Sequence, residues 1–394
     1  LSIVHTLLVL LAQLSGCASA ICASTFLDEP FATERLPVTM YDIQDVAPLG
    51  DDEFIVVAGR RASAAVDVIR VGRLGEETVA AVPGLSPTDA ARSVVVNEGR
   101  WWFSRGGDHE TGWSVYFTGS DGATRRVDHP LSLWLAIRGP EPRGVLIAVQ
   151  NQQPALDFRL VTPSGIEPLA VLDWWQDGRW LQTPVPGHWE AEAMGDGRIA
   201  VIAADGPNED AILILRILGD GPPRETTLRC SIAAESIAAA ADGSGRLAIV
   251  AHSREGELVA MIVDPDDPES VECRPISSPG EGVAAPPIGS PWVAWTGDRF
   301  VAAWLRDDGR LRACELSNAG DRPVIVDVGD DADVRRPLRQ AIHSDAESLT
   351  FMWKDRRGDV IVRTLPRDLA AVAVLAELQR RFCEAFGRMD EPYR

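Results

Sequence analysis

Apolar and polar positions alternate along most of the chain in short runs, cut by turns rich in Gly, Asp, Asn and Pro. That period belongs to half-buried β-strands and not to helices. One unit recurs: a polar or Gly-containing turn, a β-run, a second polar turn and a second β-run. The copies read EFIVVAGRRASAAVDVIRV from Glu53, RWWFSRGGDHETGWSVYFT from Arg100, GVLIAVQNQQPALDFRLVT from Gly144 and RIAVIAADGPNEDAILILRI from Arg198. They continue as RLAIVAHSREGELVAMIVD from Arg246, RFVAAWLRDDGRLRACELS from Arg299 and SLTFMWKDRRGDVIVRTLP from Ser348. Successive copies begin 44 to 54 residues apart. A period near fifty with two clear strands has room for two more, and the sixth copy shows them: PWVAWTGD precedes its hairpin and RPVIVDVGDD follows it. Each unit is therefore expected to hold four strands, A to D.

A four-stranded unit of this kind cannot bury both faces alone, so it stacks on copies of itself, and radial stacking closes into a ring. The pattern resembles seven-bladed β-propellers over nearly all of the chain after its N-terminal segment. That resemblance implies an all-β fold of four-stranded antiparallel blades. Neither a Trp-Asp step nor a Gly-Gly pair marks a propeller subfamily, and Ser120-Asp121-Gly122-Ala123-Thr124 is only a fragment of an Asp-box. The last copy has nothing strand-like after Leu365. The expected remedy is a strand from the other end, Leu36 to Asp42, pairing with Asp359 to Thr364 ahead of a first A strand at Gln44 to Leu49. After Pro366 the period becomes helical: Asp368 is placed to N-cap a short helix carrying Leu369, Val372, Leu375, Leu378, Phe382 and Phe386, with Gly387 as its stop. The expected division is 1–16 signal peptide, 17–35 lipid-attachment site and linker, 36–366 propeller, and 367–394 C-terminal helix and tail.

The N-terminal segment is read separately. Residues 1–16 carry no Lys, Arg, Asp or Glu, and the apolar run Leu7 to Leu14 is too short to span a bilayer as a helix but suits a signal-peptide h-region. Leu14-Ser15-Gly16-Cys17 follows it and resembles the lipobox of bacterial lipoproteins. The resemblance implies lipid modification of Cys17 and a lipid-anchored, periplasmic or surface protein of the cell envelope. The opening departs from that pattern, with Leu1 where Met belongs and only His5 in place of a basic region. Cleavage after Ala18-Ser19-Ala20, which would release a soluble protein, is the alternative. Five further cysteines, Cys22, Cys230, Cys273, Cys314 and Cys383, show no metal-ligand spacing, and the sequence leaves their pairing open.

Charge narrows the partners. With 58 acidic against 38 basic side chains the net charge is −20, and no Lys/Arg cluster offsets it, so nucleic acid is not an expected partner. In a propeller the B–C and D–A loops surround the channel mouth on one face, where candidate chemistry was sought. The most distinctive loop holds Trp174, Trp175, Trp180, His188 and Trp189, and clustered aromatics suit a sugar or peptide platform as well as a channel plug. The B–C turn of the second copy adds Asp108 and His109. Carboxylates on other B–C turns have no Ca²⁺-loop spacing, no nucleophile elbow or phosphate-binding glycine loop occurs, and no metal or cofactor is expected. The leading expectation is a non-enzymatic binding module for an envelope protein or a saccharide. The alternative is a hydrolase or lyase with its site at the channel mouth, using carboxylates with His109 or His188.

Overall fold

The computed structural model describes twenty-eight strands, one helix, and the connections at 36, 123, 194, 197–198, 219, 242–246, 257, 264–268, 271–278, 280–284, 291, 296–299, 306–310, 317, 323–324, 330–335, 338, 341, 347, 355–359 and 367–368. The strands form seven four-stranded antiparallel sheets. A first strand, β1 (Thr33–Arg35), precedes blade 1, which comprises β2 (Tyr41–Gly50), β3 (Glu53–Arg60), β4 (Ala65–Gly72) and β5 (Gly75–Pro83). Blade 2 holds β6 (Ala91–Asn97), β7 (Arg100–Arg105), β8 (Trp113–Thr118) and β9 (Thr124–His129). Blade 3 holds β10 (Leu133–Ile137), β11 (Val145–Gln150), β12 (Ala155–Thr162) and β13 (Gly165–Asp173). Blade 4 holds β14 (Trp189–Ala193), β15 (Ile199–Asp205), β16 (Ile212–Leu218) and β17 (Arg224–Arg229). Blade 5 holds β18 (Ala234–Ala241), β19 (Leu247–Ser253), β20 (Leu258–Val263) and β21 (Arg274–Pro275), and blade 6 holds β22 (Trp292–Trp295), β23 (Phe300–Leu305), β24 (Leu311–Leu316) and β25 (Ile325–Gly329). Blade 7 is built from β26 (Ile342–Ser344), β27 (Ser348–Lys354) and β28 (Val360–Pro366), with β1 as its outer strand, and the helix α1 (Leu369–Met389) follows.

Alternation explains how the blades stack. On β23, Val301, Ala303 and Leu305 join a core shared with Leu349, Phe351 and Trp353 of blade 7, while Phe300, Ala302 and Trp304 join one shared with Val250 and Ala260 of blade 5. Each strand thus feeds two inter-blade cores, and a fully buried side chain of this size contributes about 1.5–3 kcal/mol. Close approach needs small residues at set places. A Cβ on Gly329 would lie 2.4 Å from the Trp353 ring, so only glycine lets that indole lie flat against β25.

Ring closure follows the expected scheme with a shifted strand. Residues 33–35 do the pairing, with Thr33 opposite Arg363, Glu34 opposite Val362 and Arg35 opposite Ile361. Leu36 extends the contact, its N–H donating to Val360 O at 3.0 Å, and residues 37–40 lie outside the described residues. The first A strand already begins at Tyr41, so the closing strand must come earlier. Charge favours that earlier segment: Arg35 reaches Asp359 at 2.9 Å and Asp355 at 3.2 Å, and Arg363 donates to Thr33 Oγ1 at 2.7 Å. Leu36, Ile43, Val46, Met352, Val360 and Val362 then share one core across the first and last blades. The buried Lys354 spans the same seam and donates to Ile43 O at 2.8 Å.

The helix is capped as expected, Asp368 Oδ1 accepting from Ala371 N at 2.9 Å. It does not stop at Gly387 but continues to Met389. Leu369 and Val372 are buried in the core of blades 6 and 7, whereas Val374 and Leu378 are 59% and 53% exposed. No helix among the described residues is long and apolar enough to cross a membrane.

Candidate functional site

Most of the side chains singled out from the sequence fall outside the described residues: Cys17, Asp108, His109, Trp174, Trp175, Trp180 and His188. The same holds for Cys22 and Cys230. Trp189 opens strand β14, paired with Ala203 on β15, so its backbone belongs to the innermost strand of blade 4. Where the loop face is described, in blades 6 and 7, its charges are engaged with one another. Asp355 Oδ1 accepts from Arg357 N at 2.8 Å and Asp359 N at 3.0 Å, closing its own turn. Arg356 reaches Asp331 at 3.2 Å and donates to Asp308 O at 3.1 Å, tying one B–C turn to the next. No three His, Cys, Asp or Glu side chains converge as metal ligands among the described residues. Of the described cysteines, Cys273 is half-buried and Cys314 buried, and both are free thiols. Burial first, and then the neighbouring Glu315 and Glu281 carboxylates, push the Cys314 thiol up to about 12, which leaves it without thiolate at neutral pH.

The opposite face, which carries the A–B and C–D turns, holds a cleft of about 350 Å³ between blades 5 and 6. Its cause lies in the D strand of blade 5. Between Asp264 and Pro275 the chain contains Pro265, Pro268 and Pro275, and proline gives no N–H to a ladder. The D strand accordingly shrinks to two residues, pairing only Pro275 with Val259 and Arg274 with Ala260. Strand β20 continues past that ladder. Leu258 directs both N–H and C=O toward the D side, to Ser277 Oγ and Ile276 N, so by alternation Ile262 presents its own N–H and C=O on the same outer edge. The cleft opens beside that edge.

Its walls combine apolar and charged groups. Ala260, Ile262, Ile276, Leu316 and Pro323 supply apolar surface, while Arg246, Asp264, Glu272, Arg274 and Glu315 supply charge. Arg274 is paired with Glu272, whose carboxyl it holds below the usual range, and its other nitrogen points across the cleft to Ser317 O at 3.5 Å. Arg246 is fixed by the buried Asp242, which accepts its Nε–H at 2.7 Å and its backbone N–H at 2.9 Å. Burial alone would raise the Asp242 carboxyl. Hydrogen bonds from Ser244 and Arg246 outweigh that, and the group lies below its ordinary value of 3.8. Glu315 links the cleft to the helix, accepting from Arg299 at 2.9 Å and from the N-terminal Leu369 N–H of α1 at 2.9 Å. A carboxylate at that end also suits the helix dipole. The cleft escaped sequence reasoning because attention went to the loop face. The three prolines in the place of a D strand were the available signal.

No protein-family model matches this chain, and no curated protein matches it either. Solved structures do. A catalytically inactive virginiamycin B lyase from Staphylococcus aureus, with quinupristin, superposes with a TM-score of 0.55 at 10% identity, covering 85% of this chain and 99% of that one. YCF48 bound to D1 peptide gives 0.52 at 14% identity, covering 87% and 97%. The β-propeller domain of the Trilobed protease from Pyrococcus furiosus gives 0.53 at 10% identity, covering 80% and 92%. The fold is that of a seven-bladed β-propeller. At such identities the likeness concerns the fold alone, and propellers host many unrelated functions.

Proposed function

We propose that this propeller is a non-enzymatic binding module of the bacterial cell envelope, tethered through lipid on Cys17, and that it docks an extended segment of a protein partner. The observation that supports the docking is the cleft between blades 5 and 6, where Ile262 offers an outward N–H and C=O beyond the end of the β20–β21 ladder. An added peptide strand uses such an edge for its main-chain bonds, and the flanking apolar wall takes alternate side chains. Rim charges of both signs favour a segment carrying both, and disfavour a uniformly charged polymer. YCF48 is seen with a bound peptide on this fold, which is consistent with the reading without carrying it. The tether is supported by Leu14-Ser15-Gly16-Cys17 after an apolar run.

The test places a photo-cross-linking residue at Pro323 in the cleft and, in a second protein, at Trp175 on the loop face, in cells of the source bacterium. The expected result is a cross-link from the cleft to a single segment of one protein, competed by the corresponding synthetic peptide and lost in an Ile262→Arg background. Cross-links confined to the Trp175 position, or unchanged by Ile262→Arg, would overturn the cleft as docking site. Capture of a saccharide at Trp175 would favour the Trp-rich loop as platform. Labelling of growing cells with radioactive palmitate, lost in Cys17→Ala, tests the tether.

A further inference from the structure

The helix α1 carries two apolar faces, and the propeller uses only one. Leu369 and Val372 are buried against blades 6 and 7, with Ala373 packed beside them. At 3.6 residues per turn that face should continue through Ala376, Arg380 and Gly387, which are small or charged. The larger apolar residues lie about half a turn away. They begin with Ala371, Leu375 and Leu378, flanked by Val374, and the two exposed side chains Val374 and Leu378 belong to this outward stripe. In sequence the stripe runs on through Phe382, Ala385 and Met389, so that the steps alternate four, three, four, three, four. This strict alternation is the spacing of a seam between paired helices, narrower than the stripe of a helix lying on a globular core.

We infer that α1 pairs with α1 of a second copy of this chain. The seam is self-complementary: paired antiparallel about position 380, Ala371 falls opposite Met389, Leu375 opposite Ala385 and Leu378 opposite Phe382, so that small residues meet large ones. The area is adequate. At about 60–120 Å² for each Leu-sized side chain and more for Phe, the seam buries about 600 Å² per copy, or about 1,200 Å² in all, the lower end of specific interfaces. Charge agrees as well. The helix carries three Arg and two Glu on a chain of net charge −20, so two helices meet without strong repulsion, and the antiparallel direction keeps the acidic bodies at opposite ends. Glu377 is spent on its own helix, bonded to Arg380 at 2.8 Å and Arg381 at 2.6 Å, and those two cations hold its carboxyl down at about 2. The stripe also accounts for the helix standing off the body: a helix of this length, docked only by its first turn, is marginal in water unless its free face is covered.

Sedimentation equilibrium of the full chain in mild detergent tests this pairing. The expected result is a monomer–dimer equilibrium with a dissociation constant in the micromolar range, tightening as salt screens the acidic bodies. Leu378→Glu should weaken it about 100-fold or more, while Gln379→Glu, off the seam, leaves it within about twofold; unchanged thermal unfolding of both variants shows the propeller intact. A chain that stays monomeric at high salt, or a dimer that survives Leu378→Glu, overturns the inference. Binding of the chain to anionic vesicles that is lost in Leu378→Glu, without self-association, also overturns it and assigns the stripe to a lipid surface.

Discussion

Two junctions between neighbouring blades are built in opposite ways. At the seam between blades 7 and 1 the chain is discontinuous, and polar groups gather there: Arg35 on Asp355 and Asp359, Arg363 on Thr33, and buried Lys354 on Ile43 O. Between blades 5 and 6 the chain is continuous, and the outer edge is left open by a two-residue D strand. The difference teaches where a closed ring needs specific bonds. A junction held by a covalent connection tolerates a gap, whereas one made only of non-covalent contacts has its register set by directional hydrogen bonds and charge.

Substitutions at each junction should separate along that line. Asp355→Ala should have the largest effect, since the buried carboxylate satisfies two backbone N–H groups and receives Arg35; a loss of about 2–3 kcal/mol is expected in urea unfolding. A loss below the error of that measurement would remove the seam's special standing. Lys354→Met should cost about 1.5–3 kcal/mol, the range for a hydrogen bond from a charged donor, and should speed unfolding if opening begins at the seam.

Asp242 gives a pH-dependent comparison on the cleft side. Its folded carboxyl lies below the ordinary value of 3.8, so its stabilising contribution is complete above that value and fades as pH falls through the depressed one. Stability should therefore decline with acid below about pH 4. Asp242→Asn should be less stable at pH 7 and show a shallower decline, which thermal unfolding from pH 7 to pH 2.5 would read. Arg35→Ala removes two ion pairs from a half-exposed side chain, and about 1 kcal/mol or less is expected once solvent screening is allowed for. The smallest effect on stability belongs to Ile262→Arg in the open cleft: within about 0.5 kcal/mol, as for a surface substitution, with peptide docking abolished. A collapse of stability there would show the cleft to be a packing element and not a free edge.

Several features were legible without coordinates. Strand alternation in the seven copies, the need for a closing strand from the N-terminus, and the Asp368 cap all follow from local period and turn chemistry, which adjacent residues encode. The identity of the closing strand was less legible, because Leu36 to Asp42 and Thr33 to Leu36 both fit a short edge. Only the partners Asp355, Asp359 and Arg363, more than three hundred residues away, distinguish them. The cleft was hidden for a related reason. Prolines 265, 268 and 275 announce a weak D strand, but that weakness becomes a cavity only when the wall of blade 6 stands opposite it.

The helix shows the same division in one element. Its sequence by itself determined that it would be helical, where it would begin and that its larger apolar residues would fall on one stripe, since helical period and capping depend on neighbours a few positions apart. Only the tertiary structure decided that Leu369 and Val372 are the residues buried on the propeller and that Leu378 faces away, because which side of an amphipathic helix meets the body depends on the strands across from it.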